Sequence, residues 1–397
     1  MLSHYKLYVL TIPDSSEPRQ QSNSMNISII TTINHNVGDD FVREGIIHVL
    51  TQKLKGHKLN FENIHKHSPV TAVYGQENLR NLLISRLAEP VFRLIGSRNR
   101  ISDADILIQS GAPVYWCHPQ TGGPHCADNE WFDPLIRKRF LANRRGRPFL
   151  NLAGGSCQRY HSDGSEIENC QKCKSYIREF FDTCELTILR DELARKMLNR
   201  VGRDTKVLPC TSIFARDRFG MKPEPGEFIV LSFMENAGHY TFGQEIDSKR
   251  WRNEFISIAQ EASKLGRVVM ACHTPHEEEL SKALVPNLER FLVPNKHLEF
   301  MKFYARAKWG IMNRVHGAFM MASFGKPAIV IGNDSRAKMI ENLSLPSYYV
   351  NDVSRVGAES LIDQVRSRCD SYPEQIEEIR RSSRQAYEDE LQSALDK

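Results

Sequence analysis

No apolar run in this chain approaches the roughly 20 residues that a bilayer-spanning helix needs. The opening KLYVLTIP is too short for the apolar core of a secretory signal followed by a small-residue cleavage site. Membrane insertion and export are therefore not expected. A surplus of one charge is missing too: 53 basic against 48 acidic residues leave a net charge of +5. The densest basic run, Arg137 to Arg147, is local enough to be a solvated helix face, so nucleic acid is not an expected partner. Internal repeats and low-complexity tracts are missing, which excludes a solenoid. An even cysteine count is missing as well. Nine cysteines in a chain with no evident signal suit a reducing cytoplasm better than a disulfide framework. The expected location is cytoplasmic, at most peripheral to a membrane.

What the chain has is length and alternation. At 397 residues, 41% of them hydrophobic and 25% charged, it is globular in composition and long enough for two domains. After a polar leader (1–25), Asn26 to Thr32 reads as a strand, and Val42, Ile46, Ile47, Val49, Leu50 and Leu54 mark a helix. Further strands are expected at Lys58–Ile64, Ala104–Gln109, Pro148–Ala153, Leu186–Leu189 and Lys206–Leu208. They alternate with helical patterns over Asn78–Ile95, Trp131–Asn143, Tyr176–Thr183 and Glu192–Val201. Phe219 to Glu227 (FGMKPEPGE) has no periodicity and reads as a linker. Strands then resume at Phe228–Phe233 and Arg267–Cys272, around a helix over Trp251–Leu265. From Pro373 a charged amphipathic helix runs to the end and is expected to pack across the domain junction. The expected class is α/β: two Rossmann-like domains, 26–218 with a cysteine-rich insert and 228–370, followed by a C-terminal helix over 371–397.

The stretch Ala305 to Lys338 is the most informative. Trp309 to Met312 is a short buried strand, Ala318, Met321, Ala322 and Phe324 repeat with helical spacing, Gly325-Lys326-Pro327 stops the helix, and Ala328 to Ile331 is the next strand. Arg314 and His316 fall at the helix start. Ligands of open parallel sheets bind there, beyond the strand ends, where helix N-termini favour anions. The structural alternative is that Arg314 ties down the loop and His316 caps the helix. Two such halves face one another across a cleft, so the chemistry is sought in the loops that follow the strands. His273 and His276, in a turn broken by Pro275, suit phosphate or acceptor contact better than metal; alternatively Thr274 caps a helix and the histidines are exposed. Lys338, with Arg336, suits either phosphate or a surface helix face. Phe233, His239, Tyr240 and Phe242 suit either stacking on a sugar ring or the core.

Six of the cysteines crowd between Cys117 and Cys184, and Cys170-Gln-Lys-Cys173 is a CxxC pair. Such a pair can share a tetrahedral zinc, with Cys157 and one of Cys117, Cys126 or Cys184 completing four sulfurs. Ordinary reduced thiols are the alternative. A redox role lacks a thioredoxin-like context.

At these positions the chain resembles the polysaccharide pyruvyl transferase family. The matching pieces are Asn36-x-Gly38-Asp39 before a helix, Asp105-Ile-Leu-Ile-Gln-Ser-Gly111, Leu189-Arg190-Asp191, and Arg314-x-His316-Gly317 with Gly325-Lys326-Pro327 behind it. The resemblance covers roughly Asn26 to Pro346, with order and spacing preserved. The resemblance implies a GT-B-like domain pair, phosphoenolpyruvate as donor with no cofactor required, and a sugar hydroxyl pair as acceptor. That acceptor would be a glycan or a lipid- or nucleotide-linked precursor, and the products a pyruvate ketal and phosphate. It also implies that Arg190, Arg314 and His316 bind the donor and that Asp39 sits on the facing loop. Gly38, Ser110, Gly111, Gly317, His273 and Lys338 complete the candidate binding set. Two positions depart from the family pattern: Ser110-Gly111 stands where a glycine pair is usual, and Cys210 where an Asp often precedes the domain crossover.

The chemistry suits these side chains. Phosphoenolpyruvate carries a carboxylate and a phosphate close together, and guanidiniums from Arg190 and Arg314, one from each domain, would clamp both. A histidine titrating near neutrality would give or take the protons of ketal formation, or only neutralise the phosphate; His316 is the candidate. Asp39 would orient or deprotonate the acceptor hydroxyl, or serve as a helix cap. The rival enzyme is a GT-B glycosyltransferase using a nucleotide sugar. The non-enzymatic rival is a zinc- or redox-sensing protein whose cleft binds a phosphorylated metabolite.

Overall fold

The structure, a computed structural model, describes residues 24–33, 36–65, 104–117, 146–235 and 246–396. The helical patterns expected at 78–95 and 131–143, Cys126, and His239, Tyr240 and Phe242 lie outside the described residues.

The first sheet has five parallel strands, β1 (Ser24–Thr31), β2 (Lys58–His65), β3 (Ile106–Ser110), β4 (Phe149–Gly154) and β5 (Leu186–Leu189), in the order β2-β1-β3-β4-β5. Every residue of β3, β4 and β5 is buried, which is why they read as continuous apolar runs and not as alternating ones. Among the described residues, the longer helices of this half are α1 (Val37–Lys53), α2 (Gln171–Thr183) and α3 (Glu192–Asn199). The second sheet holds β6 (Phe228–Leu231), β7 (Val268–Ala271), β8 (Glu289–Phe291), β9 (Ala307–Met312), β10 (Ala328–Gly332) and β11 (Ser347–Tyr349), in the order β11-β10-β9-β6-β7-β8. With it go α4 (Ser248–Ser263), α5 (Pro275–Leu284), α6 (His297–Ala305), α7 (Val315–Ser323) and α8 (Ala358–Arg366). The strand order reverses between β1 and β3 in one half and between β6 and β9 in the other, and a doubly wound sheet opens its ligand crevice at such a point. The fold is thus a pair of Rossmann-like domains in the GT-B manner.

The last helix, α9 (Tyr372–Leu395), crosses the junction. Near its start the Tyr372 hydroxyl donates to Leu343 O at 3.2 Å in the second domain; farther along, Tyr387 donates to Pro209 O at 3.1 Å in the first. Arg380, buried at 3% exposure, donates from Nε to Ile213 O at 3.2 Å and grips both oxygens of Asp217 at 2.6 Å. One apolar cluster joins Ile27, Phe41 and Phe214 of the first half to Phe300, Phe319 and Met320 of the second and to Tyr387 and Leu391 of α9. The two halves therefore share a core instead of meeting at a wet surface.

Several elements differ from expectation. Lys206 to Leu208 makes a single bridge, Leu189 with Val207, and no strand, because Pro209 follows at once and removes the next donor. Pro275 does not break a turn; it opens α5, with the Thr274 side chain accepting from Glu277 N as the N-cap. The edge strands β8 and β11, three residues each, are too short to leave a periodic signal. Among the described residues no helix is long and apolar enough to cross a membrane.

Candidate active site

The N-terminus of α1 and the N-terminus of α7 converge from opposite domains. A Cβ placed on Gly38, in the first turn of α1, would stand 2.8 Å from Nδ1 of His316, so only the absence of a side chain lets the imidazole lie against the helix. Asn36 caps α1, its Oδ1 accepting from Gly38 N at 3.0 Å. That frees Asp39 from the capping role; its carboxylate takes the Thr32 hydroxyl and lies close enough to His316 to favour its proton. On the other side Arg314 occupies the N-cap of α7 without capping it, and among the described residues no side chain caps this helix, so its first N–H groups give the cleft a positive end.

His316 is half-buried, and its Nε2 lies 3.8 Å from Cys210 Sγ, the departure from the family pattern noted above. Burial lowers its pKa to about 3, the Arg190 and Arg336 guanidiniums pushing the same way and Asp39 pulling back. Burial thus works against a histidine titrating near neutrality and favours the neutral imidazole in this cleft.

Arg190 is 2% exposed. Its backbone is held at both ends, N donating to Gly154 O at 2.8 Å and O accepting from Asn342 Nδ2 of the second domain at 2.9 Å. One guanidinium nitrogen donates to Gly111 O at 3.2 Å, while Nε is buried without a partner. Among the described residues no carboxylate pairs with it. Its neighbour Asp191 is fully committed, taking Ser156 N at 2.8 Å and Ser156 Oγ at 2.6 Å while capping α3. A buried guanidinium with an unpartnered Nε and, among the described residues, no carboxylate partner is a costly arrangement.

Arg314 is differently placed. It pairs with Glu277, 4% exposed, whose carboxyl is held below the usual range because Arg314 outweighs the effect of burial. Glu277 in turn accepts from His273 N at 3.0 Å and from the Thr274 hydroxyl at 3.0 Å. Of the two arginines of the expected clamp, Arg314 is thus paired with a carboxylate, and Arg190, among the described residues, is not. His273 is in the cleft wall and not on its surface, with Nε2 2.7 Å from the Tyr304 hydroxyl, and burial lowers its pKa to about 4. Gly317 makes room for that hydroxyl, which a Cβ would meet at 2.7 Å. His276 is exposed. Arg336 closes a fork on buried Asp334, at 2.9 and 2.6 Å.

Gly38, Asp39, Gly111, Arg190, Arg314, His316 and Gly317 are thus gathered in one place, and buried Ser110 ends β3 beside them. Lys338 is directed elsewhere: its Nζ sits 4.9 Å from the centre of the Tyr160 ring. Phe233 is core, stacked on Trp251 at 5.4 Å, which corrects the sugar-stacking alternative. Cys157 stands apart from the other sulfurs, feeling the charges of Asp334, Arg336, Asp191 and Arg190, with burial pushing its thiol pKa well up. Glu277 and Tyr304 were not assigned from sequence; the Thr-x-x-Glu spacing of Thr274 and Glu277 was the signal available for the first, and nothing local marks the second.

No curated protein matches the chain by sequence. Among solved structures, S. aureus MnaA with UDP superposes with a TM-score of 0.52 at 14% identity, covering 88% of this chain and 91% of that one. A putative UDP-N-acetylglucosamine 2-epimerase from Listeria monocytogenes gives 0.51 at 13% identity, covering 89% and 90%. At such identity these likenesses speak for the fold alone. The model of polysaccharide pyruvyl transferases matches residues 36–335, a span that runs from the cap of α1 to the loop after β10 and takes in every residue gathered in the cleft, and the chain belongs to that family of transferases.

Proposed function

We propose that this protein moves the enolpyruvyl unit of phosphoenolpyruvate onto two hydroxyls of a sugar, forming a pyruvate ketal and releasing phosphate. The observation that carries the proposal is Arg190, a buried guanidinium with an unpartnered Nε and no carboxylate partner among the described residues. Phosphoenolpyruvate brings the complementary charge. In the reaction one acceptor hydroxyl adds to C2 of the donor while C3 takes a proton and becomes a methyl group. Phosphate then leaves, and the second hydroxyl closes the ketal. Of the two hydroxyl protons, one balances the methyl group and the other departs with phosphate.

His316, neutral in the empty cleft, is the base that receives a hydroxyl proton. The arriving donor offsets Arg190 and Arg336, whose charges hold the proton off, so donor binding raises the proton affinity when it is needed. Asp39 accepts the acceptor hydroxyl and orients it. Arg314 joins the clamp if the donor carboxylate replaces Glu277 as its partner. The acceptor class is a glycan or a lipid- or nucleotide-linked glycan precursor.

The rival is a glycosyltransferase or related enzyme on a nucleotide sugar, since the superposed structures include one with UDP. A thermal-shift screen separates the two. Phosphoenolpyruvate is expected to stabilise the wild type and to lose its effect on Arg190→Gln, where charge-assisted bonds worth about 1.5–3 kcal/mol are removed. Phosphate release with a panel of sugars, and mass spectrometry for the pyruvyl group, then identifies the product. Stabilisation by UDP-sugars and none by phosphoenolpyruvate overturns the proposal.

A further inference from the structure

Three sulfurs meet in the first domain, away from the cleft. Cys117 lies in the loop that follows β3, Cys170 is the N-cap residue of α2, and Cys173 is in that helix's first turn. Their ligand atoms all lie within 4.8 Å of one another, and the residues are 0%, 3% and 0% exposed. Sulfurs about 2.3 Å from a tetrahedral zinc stand about 3.8 Å apart along each edge, so these three span one triangular face with small side-chain adjustments. The CxxC spacing at a helix start supplies two of them, because positions i and i+3 share a helix face.

We propose that Cys117, Cys170 and Cys173 hold a structural zinc ion. Clustered thiolates are soft ligands and select zinc over magnesium or calcium. The surplus negative charge of three thiolates on a divalent ion is offset in part by the N-terminal end of α2. Cys157, the expected partner of the CxxC pair, is replaced in this set by Cys117.

The position of Cys117 gives the ion a task. Its N–H donates to the Gln158 side chain at 3.3 Å. Gln158 exchanges two bonds with Ser335 of the second domain, N donating to Ser335 Oγ at 2.9 Å and O accepting from Ser335 N at 3.0 Å. The same loop begins at Gly111, whose carbonyl receives Arg190. Zinc would fasten this loop to α2 and so brace one wall of the cleft and one interdomain contact without touching the substrate.

The test is the metal content of the full chain, purified untagged under reducing conditions without chelator. About one zinc per chain is expected in the wild type and in Cys184→Ser, whose sulfur lies outside the cluster, and its loss in Cys117→Ser, Cys170→Ser and Cys173→Ser. Should a serine variant fail to fold, cobalt exchange into the wild type decides: intense thiolate-to-cobalt charge-transfer bands with tetrahedral ligand-field bands are expected. A metal-free wild type that gives no such bands overturns the proposal, as does full zinc retention in folded Cys170→Ser or a Cys170–Cys173 disulfide in the protein as purified.

Discussion

Acidification is the perturbation that probes the cleft wall most directly. His273 has its pKa lowered from 6.5 to about 4, chiefly by burial. Its folded-state value lies below its unfolded one, so the unfolded chain takes the proton first, and stability present above pH 6.5 is lost as the pH falls toward 4. At pH 5 the unfolded histidine is almost fully charged while the folded one is not, a difference of about 2 kcal/mol. His316, lowered to about 3, acts in the same direction. Asp40 opposes both: burial raises its carboxyl to about 6, so the folded state takes that proton first and gains stability as the pH falls below 6. His48 and His297, also lowered by burial, and Glu277, held low against burial by Arg314, add to the overall pH profile, so the diagnostic quantity is a difference. His273→Gln keeps a polar atom near the Tyr304 hydroxyl and cannot titrate. Urea unfolding followed by far-UV circular dichroism at pH 7.5 and pH 5 is expected to show the variant gaining on the wild type by about 2 kcal/mol on acidification. Parallel profiles, with a constant offset between the two proteins, would show that His273 is not buried as described.

Three further outcomes follow from named contacts. Glu277→Gln leaves Arg314 without its charge partner in a buried setting, with an expected destabilisation of about 3 kcal/mol measured by denaturant midpoint; an unchanged midpoint would mean the pair is solvated. Gly38→Ala places a Cβ 2.8 Å from His316 Nδ1, and transfer activity is expected to collapse while the melting temperature moves little; normal activity would remove His316 from the site. Arg380→Ala takes from Asp217 its bidentate partner, leaving Arg384 at 2.9 Å, and leaves Ile213 O without its bond; a loss of about 1.5–3 kcal/mol is expected, with a shift under about 0.5 kcal/mol placing α9 off the first domain.

The buried strands were legible because burial on both faces writes the same message into every residue. β5 ends where the apolar run LTIL ends, and α7 stops at the Gly-Lys-Pro that cannot continue it. β8 and β11 were not legible, since three residues at a sheet edge bury too little to constrain their identity. The long C-terminal helix was visible by its period, and its path across the junction follows from Tyr372 and Tyr387, whose hydroxyls reach carbonyls in different domains.

At the site, motifs located the residues but not their electrical state. Arg190 and Arg314 look alike in sequence, each following a strand and preceding a helix. What separates them is the carboxylate nearby: Thr274 and Glu277 box the N-terminus of α5 and so aim a carboxylate at Arg314, whereas the oxygens of Asp191 are taken by Ser156 and the cap of α3. The same limit governs the sulfurs. Cys157 is nearer in sequence to the CxxC pair than Cys117 is, yet it follows the bulge at the end of β4 toward the charged cleft while the loop after β3 carries Cys117 to α2. Spacing along a chain fixes partners only within one element; between elements the partner is decided by which strand end the loop leaves, and in a parallel sheet all those ends lie on the same side, offering several candidates to each site. The composition of a site is therefore readable before its pairing is, and pairing is what decides whether an arginine here awaits a substrate or is already satisfied.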